Sequence, residues 1–155
     1  MIYPQYSLKI SNLTDITQTI KEMFRLAIQY KDDLEPFKNL NLYQFYNFLR
    51  NKVKYVKDPE FVEKLQRPSL TILYGGDCDD KTIVAMSYFE LKNLKYRLAI
   101  ADYGKGFEHI YPEVYLNMRG YVPFDTTCYV CDMGAERKYV NKKVFYKEDF
   151  EEFKK

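Results

Sequence analysis

Cys78, His109 and Asp125 follow one another in a chain of 155 residues that contains no other histidine. Together they are a thiol nucleophile, a base that titrates near neutral pH and a carboxylate able to orient that base. With one imidazole available, cysteine–histidine chemistry has a single partner set. Cys78 stands in Gly75-Gly76-Asp77-Cys78-Asp79-Asp80, and the chain then runs from Lys81 to Phe89 without Gly or Pro. A thiol at the mouth of such a helix meets free backbone amides that favour its thiolate. The carboxylates of Asp77, Asp79 and Asp80 oppose a negative sulfur. His109 is therefore expected to lie within about 3–4 Å of the sulfur and to form an ion pair with it, keeping Cys78 a thiolate well below the ordinary ~8.5. An isolated cysteine is more often a buried structural residue, but the glycines, the helix start and the downstream His and Asp turn the reading towards a nucleophile.

The elements that must position these groups can be read from periodicity. Ile16, Ile20, Met23, Phe24, Ala27 and Ile28 recur at spacings of three and four after Thr14 or Asp15, which suit a helix cap. Leu42, Phe45, Phe48, Leu49 and Val53 repeat the pattern after a break at Pro36 to Asn41. Asp58-Pro59 reads as a cap and first helical residue, so Phe61, Val62 and Leu65 should form a short third helix that stops before Pro68. Ser69 to Gly76 reads as extended and then glycine-rich. Ile83 to Phe89 is apolar nearly all round, the mark of a helix buried on most sides. Alternation then takes over at Tyr96 to Tyr103, at His109 to Leu116 and, beyond a turn at Asn117 to Gly120, at Tyr121 to Asp125. His109 and Asp125 share a face of that hairpin only if it is centred near Asn117 or Met118, so an odd loop or a bulge is expected. Pro112 and Pro123 should turn their missing N–H groups outward or sit at a bulge. Lys147 to Lys155 reads as a charged tail or short helix. A helical first half followed by antiparallel strands is an α+β layout, here in one domain over residues 1–155.

Gly76-Asp77-Cys78-Asp79-Asp80 at a helix start, His109 on a strand with Glu113 and Val114, and Phe124-Asp125-Thr126-Thr127 ending the next strand resemble the transglutaminase-like superfamily of papain-fold thiol enzymes. The resemblance is strongest from about Tyr55 to Thr127, and is closest to small bacterial and prophage-encoded members. It implies a papain-like core in which a buried helix begins at the nucleophile and packs on an antiparallel sheet. By it, Cys78 is the nucleophile, His109 the general base and acid, and Asp125 the residue that orients the imidazole. The Cys78 backbone N–H and Tyr55 would hold the oxyanion. Where many members carry tryptophan near the histidine and before the aspartate, this chain has Tyr111 and Tyr121 and no tryptophan.

The expected activity is acyl transfer on an amide or peptide bond through a thioester, ending in hydrolysis by water or cross-linking by an amine. No cofactor is expected, and the partner is a peptide or protein substrate. The rival is a non-catalytic phage-related assembly module that keeps the fold with an idle triad and binds a phage structural protein. A second rival is a Cys3His zinc site in which the Cys128-x-x-Cys131 pair joins Cys78 and His109, although those other two ligands are far apart and unpaired; the same pair could be a redox couple, but no strand and helix follow it as a thioredoxin-like motif requires. Cys128 and Cys131 read more simply as two buried cysteines near a strand end. Charge is nearly balanced, 24 basic against 22 acidic residues, which argues against nucleic acid as the main partner. No apolar run nears the roughly 20 residues that span a bilayer, and three cysteines suit a reducing compartment. The expected location is cytoplasmic, or the virion if the chain is prophage-encoded.

Overall fold

The structure, a computed structural model, describes residues 8–10, 16–58 and 63–154. Strand β1 (Leu8–Ile10) precedes helix α1 (Ile16–Gln29). The expected face of α1 is buried at Ile20, Met23, Phe24 and Ala27, while Ile16 in the first turn stays 41% exposed; Thr14 and Asp15 fall outside the described residues. A 3-10 segment (Lys31–Phe37) runs into the expected break, which continues as a turn over 38–40 and leads to α2 (Leu42–Asn51). Helix α2 opens on a reciprocal cap: the Gln44 amide donates to Asn41 Oδ1 at 2.8 Å and the Asn41 amide to Gln44 Oε1 at 2.9 Å.

Between Asp58 and Gly76 two expectations are overturned. Glu63–Leu65 is strand β2, antiparallel to β1, and not the end of a third helix. Pairing with β1 supplies backbone partners that a helix this short would leave open at its ends. The Asp58 carboxylate accepts the Lys64 amide at 2.9 Å, and Pro59, Phe61 and Val62 lie outside the described residues. Pro68–Tyr74 is helix α3, where extended chain was expected. Pro68 is its first residue, a position that loses nothing by lacking an N–H. Thr71-Ile72-Leu73-Tyr74 favours a strand by residue type, but the cap comes from far along the chain. Asp33 accepts the Ser69 amide at 3.0 Å and holds Arg67 through contacts of 2.9 and 2.5 Å.

Helix α4 (Cys78–Leu91) is the central element. Its N-cap is Asp77, which accepts the amides of Asp79 and Asp80 at 3.1 and 3.2 Å, and Asp80 accepts the Asp77 amide in return. Every residue from Asp80 to Phe89 is buried, as the apolar run requires. Ser87 Oγ donates to the Ala27 carbonyl of α1 at 2.9 Å. Tyr88 stacks on Phe45 with centroids 4.0 Å apart, and Phe89 meets Phe124 edge to face at 5.2 Å.

Strands β3 (Tyr96–Asp102), β4 (Phe107–Leu116) and β5 (Gly120–Pro123) follow, and β6 (Asn141–Phe145) pairs with β3 to give the antiparallel order β5-β4-β3-β6. Alternation does not reveal β6, because Asn141-Lys142-Lys143 is polar; lysines are what a sheet edge uses to avoid further pairing. Leu116 pairs with Gly120, so the hairpin is centred on Met118, and Met118 and Gly120 take positive φ of 70° and 75°. This odd loop is the one that lets His109 and Asp125 share a face. The Phe124 amide donates to the Pro112 carbonyl at 2.9 Å, so the missing donor of Pro112 faces the chain just past the end of β5. The Pro123 carbonyl accepts from Gly134 at 2.9 Å, which turns Pro123 towards the outer edge of the sheet. Short 3-10 turns at Lys147–Asp149 and Glu151–Phe153 end the described chain, with Phe150 and Phe153 against Phe24. The mixed helical and antiparallel layout is the α+β class. No helix among the described residues is long and apolar enough to cross a membrane.

Candidate active site

Cys78 is the first residue of α4, presented by a loop that only glycines permit. The Gly76 amide donates to the Lys54 carbonyl at 3.1 Å and the Val56 amide to the Gly76 carbonyl at 2.9 Å, which fastens Tyr55 alongside Gly76. A Cβ on Gly75 would fall 2.6 Å from the Lys54 carbonyl oxygen, and one on Gly76 2.5 Å from Asp80 Cβ. Tyr55 and Cys78 thus stand together at one cavity of about 200 Å³, with His109, Thr127, Tyr129 and Arg137 on its other walls.

His109 and Asp125 come together as the hairpin register requires: His109 Nε2 lies 2.8 Å from Asp125 Oδ2. Asp125 is 2% exposed. Its second oxygen accepts the Thr127 amide at 3.1 Å and the Thr127 hydroxyl at 2.8 Å, an Asx turn that fixes the carboxylate in its plane. Burial works against the charge on Asp125, but the hydrogen bonds from His109 and Thr127 prevail and hold its carboxyl below the usual range. An ionised Asp125 can only accept, so Nε2 carries the proton of the neutral imidazole and Nδ1 is left with a free lone pair. Tyr111 stacks beside His109 at 5.4 Å between centroids, and Tyr103 lies at 6.1 Å.

The expected ion pair between Cys78 and His109 is not made. Although both side chains line one cavity, no hydrogen bond joins the sulfur to the imidazole, and the thiol donates instead to Asp79 Oδ1 at 3.5 Å. Burial pushes the Cys78 thiol well above its ordinary value, Asp79 and Asp77 add to this, and only the Ile110 amide favours the anion. Helix-end polarity is therefore outweighed, and the resting group is a neutral thiol. Tyr55 is 41% exposed. Burial, then the neighbouring sulfur and Asp77, push its phenol up to about 12, so it remains a hydroxyl donor near neutral pH.

The Cys3His zinc set does not assemble. Cys128 and Cys131 are joined to each other by a disulfide, which leaves Cys78 as the one free cysteine. Both are buried as expected, but they are not free thiols. Among the described residues the one cluster of metal-type ligands is Asp58, Asp77 and Asp80, whose carboxylates already serve as caps and loop acceptors.

Sequence reasoning missed four contributors. Thr127 had a local signal, because Asp-x-Thr after a strand is an Asx-turn pattern. Tyr129 and Arg137 reach the cavity from the segment after β5 and had none. Lys81, one turn along α4 from Cys78, is buried and donates to the Val53 carbonyl at 3.0 Å. Burial drags its amine down to about 8 while the charge of Asp125 resists. In comparisons with known proteins, no family model, curated protein or solved structure matches this chain.

Proposed function

We propose that this protein is a thiol-dependent acyl-transfer enzyme of the transglutaminase-like, papain-fold type, acting on an amide or peptide carbonyl. The observation that carries the reading is the 2.8 Å His109–Asp125 pair on the cavity that also holds Cys78, at the start of a buried helix. In the first step Nδ1 of His109 takes the proton from Cys78, and the sulfur attacks the carbonyl carbon. The Asp79, Asp80 and Lys81 amides are taken by Asp77, so the Cys78 backbone N–H and the Tyr55 hydroxyl are the donors available to the oxyanion. The C–N bond then breaks, His109 returns the proton to the departing amine, and a thioester remains on Cys78. Water, deprotonated by His109, hydrolyses the thioester, or a second amine takes the acyl group. Hydrolysis is the preferred outcome for a domain of this size without calcium-binding signatures. The thiol is neutral at rest, so the sulfur must hand its proton to His109 in the course of each turnover.

The neutral thiol and the missing sulfur–imidazole hydrogen bond are also what an idle triad in an assembly module would have. Acid-quenched intact-protein mass spectrometry separates the two. The wild type, incubated with a panel of glutamine-containing and other peptide amides, should accumulate an acyl adduct on Cys78 that hydroxylamine releases as the hydroxamate. Cys78→Ser should lose the thioester, and His109→Ala should form it far more slowly. If no amide yields an adduct, and Cys78 alkylates equally fast in the wild type and in His109→Ala, the triad is idle and the module reading replaces this one.

A further inference from the structure

We infer that Arg137 is a substrate-binding residue and that the acyl-transfer site takes amides carrying a carboxylate about one residue from the bond that breaks. The inference rests on the proposed acyl-transfer reading and adds its substrate class. Six residues line the cavity at Cys78: two phenols, a threonine, the thiol, the imidazole and the Arg137 guanidinium. The wall therefore carries one fixed cation and no carboxylate. Arg137 is exposed and makes no ion pair with any described residue; its guanidinium lies 5.9 Å from the centroid of the Tyr103 ring. The acid next to it in sequence is already engaged, because Glu136 meets Lys142 at 3.2 Å and accepts the Tyr111 hydroxyl at 2.5 Å. Asp79, whose Oδ1 takes the Cys78 thiol at 3.5 Å, lines a second cavity with Ile16, Thr19, Phe107 and Glu108, and the two cavities meet at His109. A guanidinium offers a planar fork of donors that matches a carboxylate in two parallel hydrogen bonds. It is the one fixed charge on the wall of this cavity, set against Asp79 behind the sulfur, and it offers an incoming carboxylate its partner.

Proximity supports the same class. Arg137 and Cys78 line the same cavity of about 200 Å³, so an anion held by the guanidinium lies close to the reacting carbonyl. Tyr103 is near both groups, its ring centroid 6.1 Å from that of His109 and 5.9 Å from the Arg137 guanidinium. A carboxyl-terminal residue or an acidic side chain next to the scissile amide meets these requirements.

Iodoacetate and iodoacetamide test this directly on Cys78, because they alkylate by the same displacement and differ only in a carboxylate against a neutral amide. Both rates scale with the same thiolate fraction, so their ratio cancels the thiol's own ionisation. With glutathione as the reference thiol, the iodoacetate-to-iodoacetamide ratio at Cys78 should be at least tenfold higher, should saturate with iodoacetate and should fall as salt is raised. Arg137→Gln should bring the ratio down to the glutathione value, Arg137→Glu should take it lower still, and Arg137→Lys should keep part of it. A ratio that is unchanged in Arg137→Gln overturns the inference, and so does a wild-type ratio no higher than that of glutathione. Neither result touches the acyl-transfer reading, which stands or falls on the Cys78 adduct. If the adduct forms equally fast on peptides with a free or an amidated C-terminus and with Asp or Asn next to the bond, the carboxylate requirement is refuted while the enzyme remains.

Discussion

Asp125→Asn changes one oxygen for an amide nitrogen and so isolates what the carboxylate does for His109. The Thr127 amide and hydroxyl both donate to Asp125 Oδ1, at 3.1 and 2.8 Å. In the variant that position must be filled by the Asn carbonyl, because an NH₂ there would face two donors. The NH₂ group is then turned towards His109 Nε2, 2.8 Å away in the wild type, and can only donate. Nε2 becomes the acceptor, the imidazole proton moves to Nδ1, and the lone pair that should take the Cys78 proton is lost. Two terms add. Losing a hydrogen bond to a charged group costs about 1.5–3 kcal/mol of imidazolium stabilisation, roughly 10- to 150-fold in rate. Reversing the tautomer in a related serine-type triad brings the total to about 10⁴-fold. The expected result is a fall in the rate of Cys78 acylation of between about 10² and 10⁴-fold. The adduct assay with a saturating peptide amide measures it, and denaturant unfolding should show a stability close to wild type. Acylation within about threefold of wild type, in a background where His109→Ala is severely impaired, would refute the orienting role of Asp125.

Asp79→Asn removes the carboxylate that accepts the Cys78 thiol, so iodoacetamide labelling at pH 8 should speed up and its pH profile should move down; no shift would mean that the Asp79 carboxylate does not raise the thiol. Asp33→Ala deletes the cap of α3 and the Arg67 pair together, at a cost of roughly 1–3 kcal/mol by urea unfolding at pH 7. Asp33 is held below its ordinary 3.8 by Arg67 and Ser69 against burial, so its contribution is complete above pH 3.8 and is lost as the pH falls below that value. The gap between wild type and Asp33→Ala should therefore close on acidification. Phe124→Ala opens a hole between Phe45, Tyr46 and Phe89 directly beneath Asp125, and should cost about 3–5 kcal/mol, seen as a lower denaturation midpoint.

Local patterns in the chain were enough for α1, α2 and α4, because each puts its apolar residues on a face, or in α4 all round, and each burial follows from one short stretch. Asp77 and Asp80 cap α4 with neighbours three residues apart, so the place where the helix begins at Cys78 was legible too. The hairpin was legible through its side-chain period of two: His109 and Asp125 could share a face only across an odd loop, and the loop centred on Met118 is odd. Where backbone partners came from distant residues, the local reading failed. Helix α3 is capped by Asp33, β2 is held by β1, and β6 is recruited to the edge of β3 despite its lysines. The same division runs through the site. The order of Cys78, His109 and Asp125 is a property of the chain, whereas the neutral state of the thiol is not. It depends on how much water the fold removes from the sulfur, on Asp79 turning towards it and on His109 turning to Asp125, and those are distances between elements that no stretch of sequence contains.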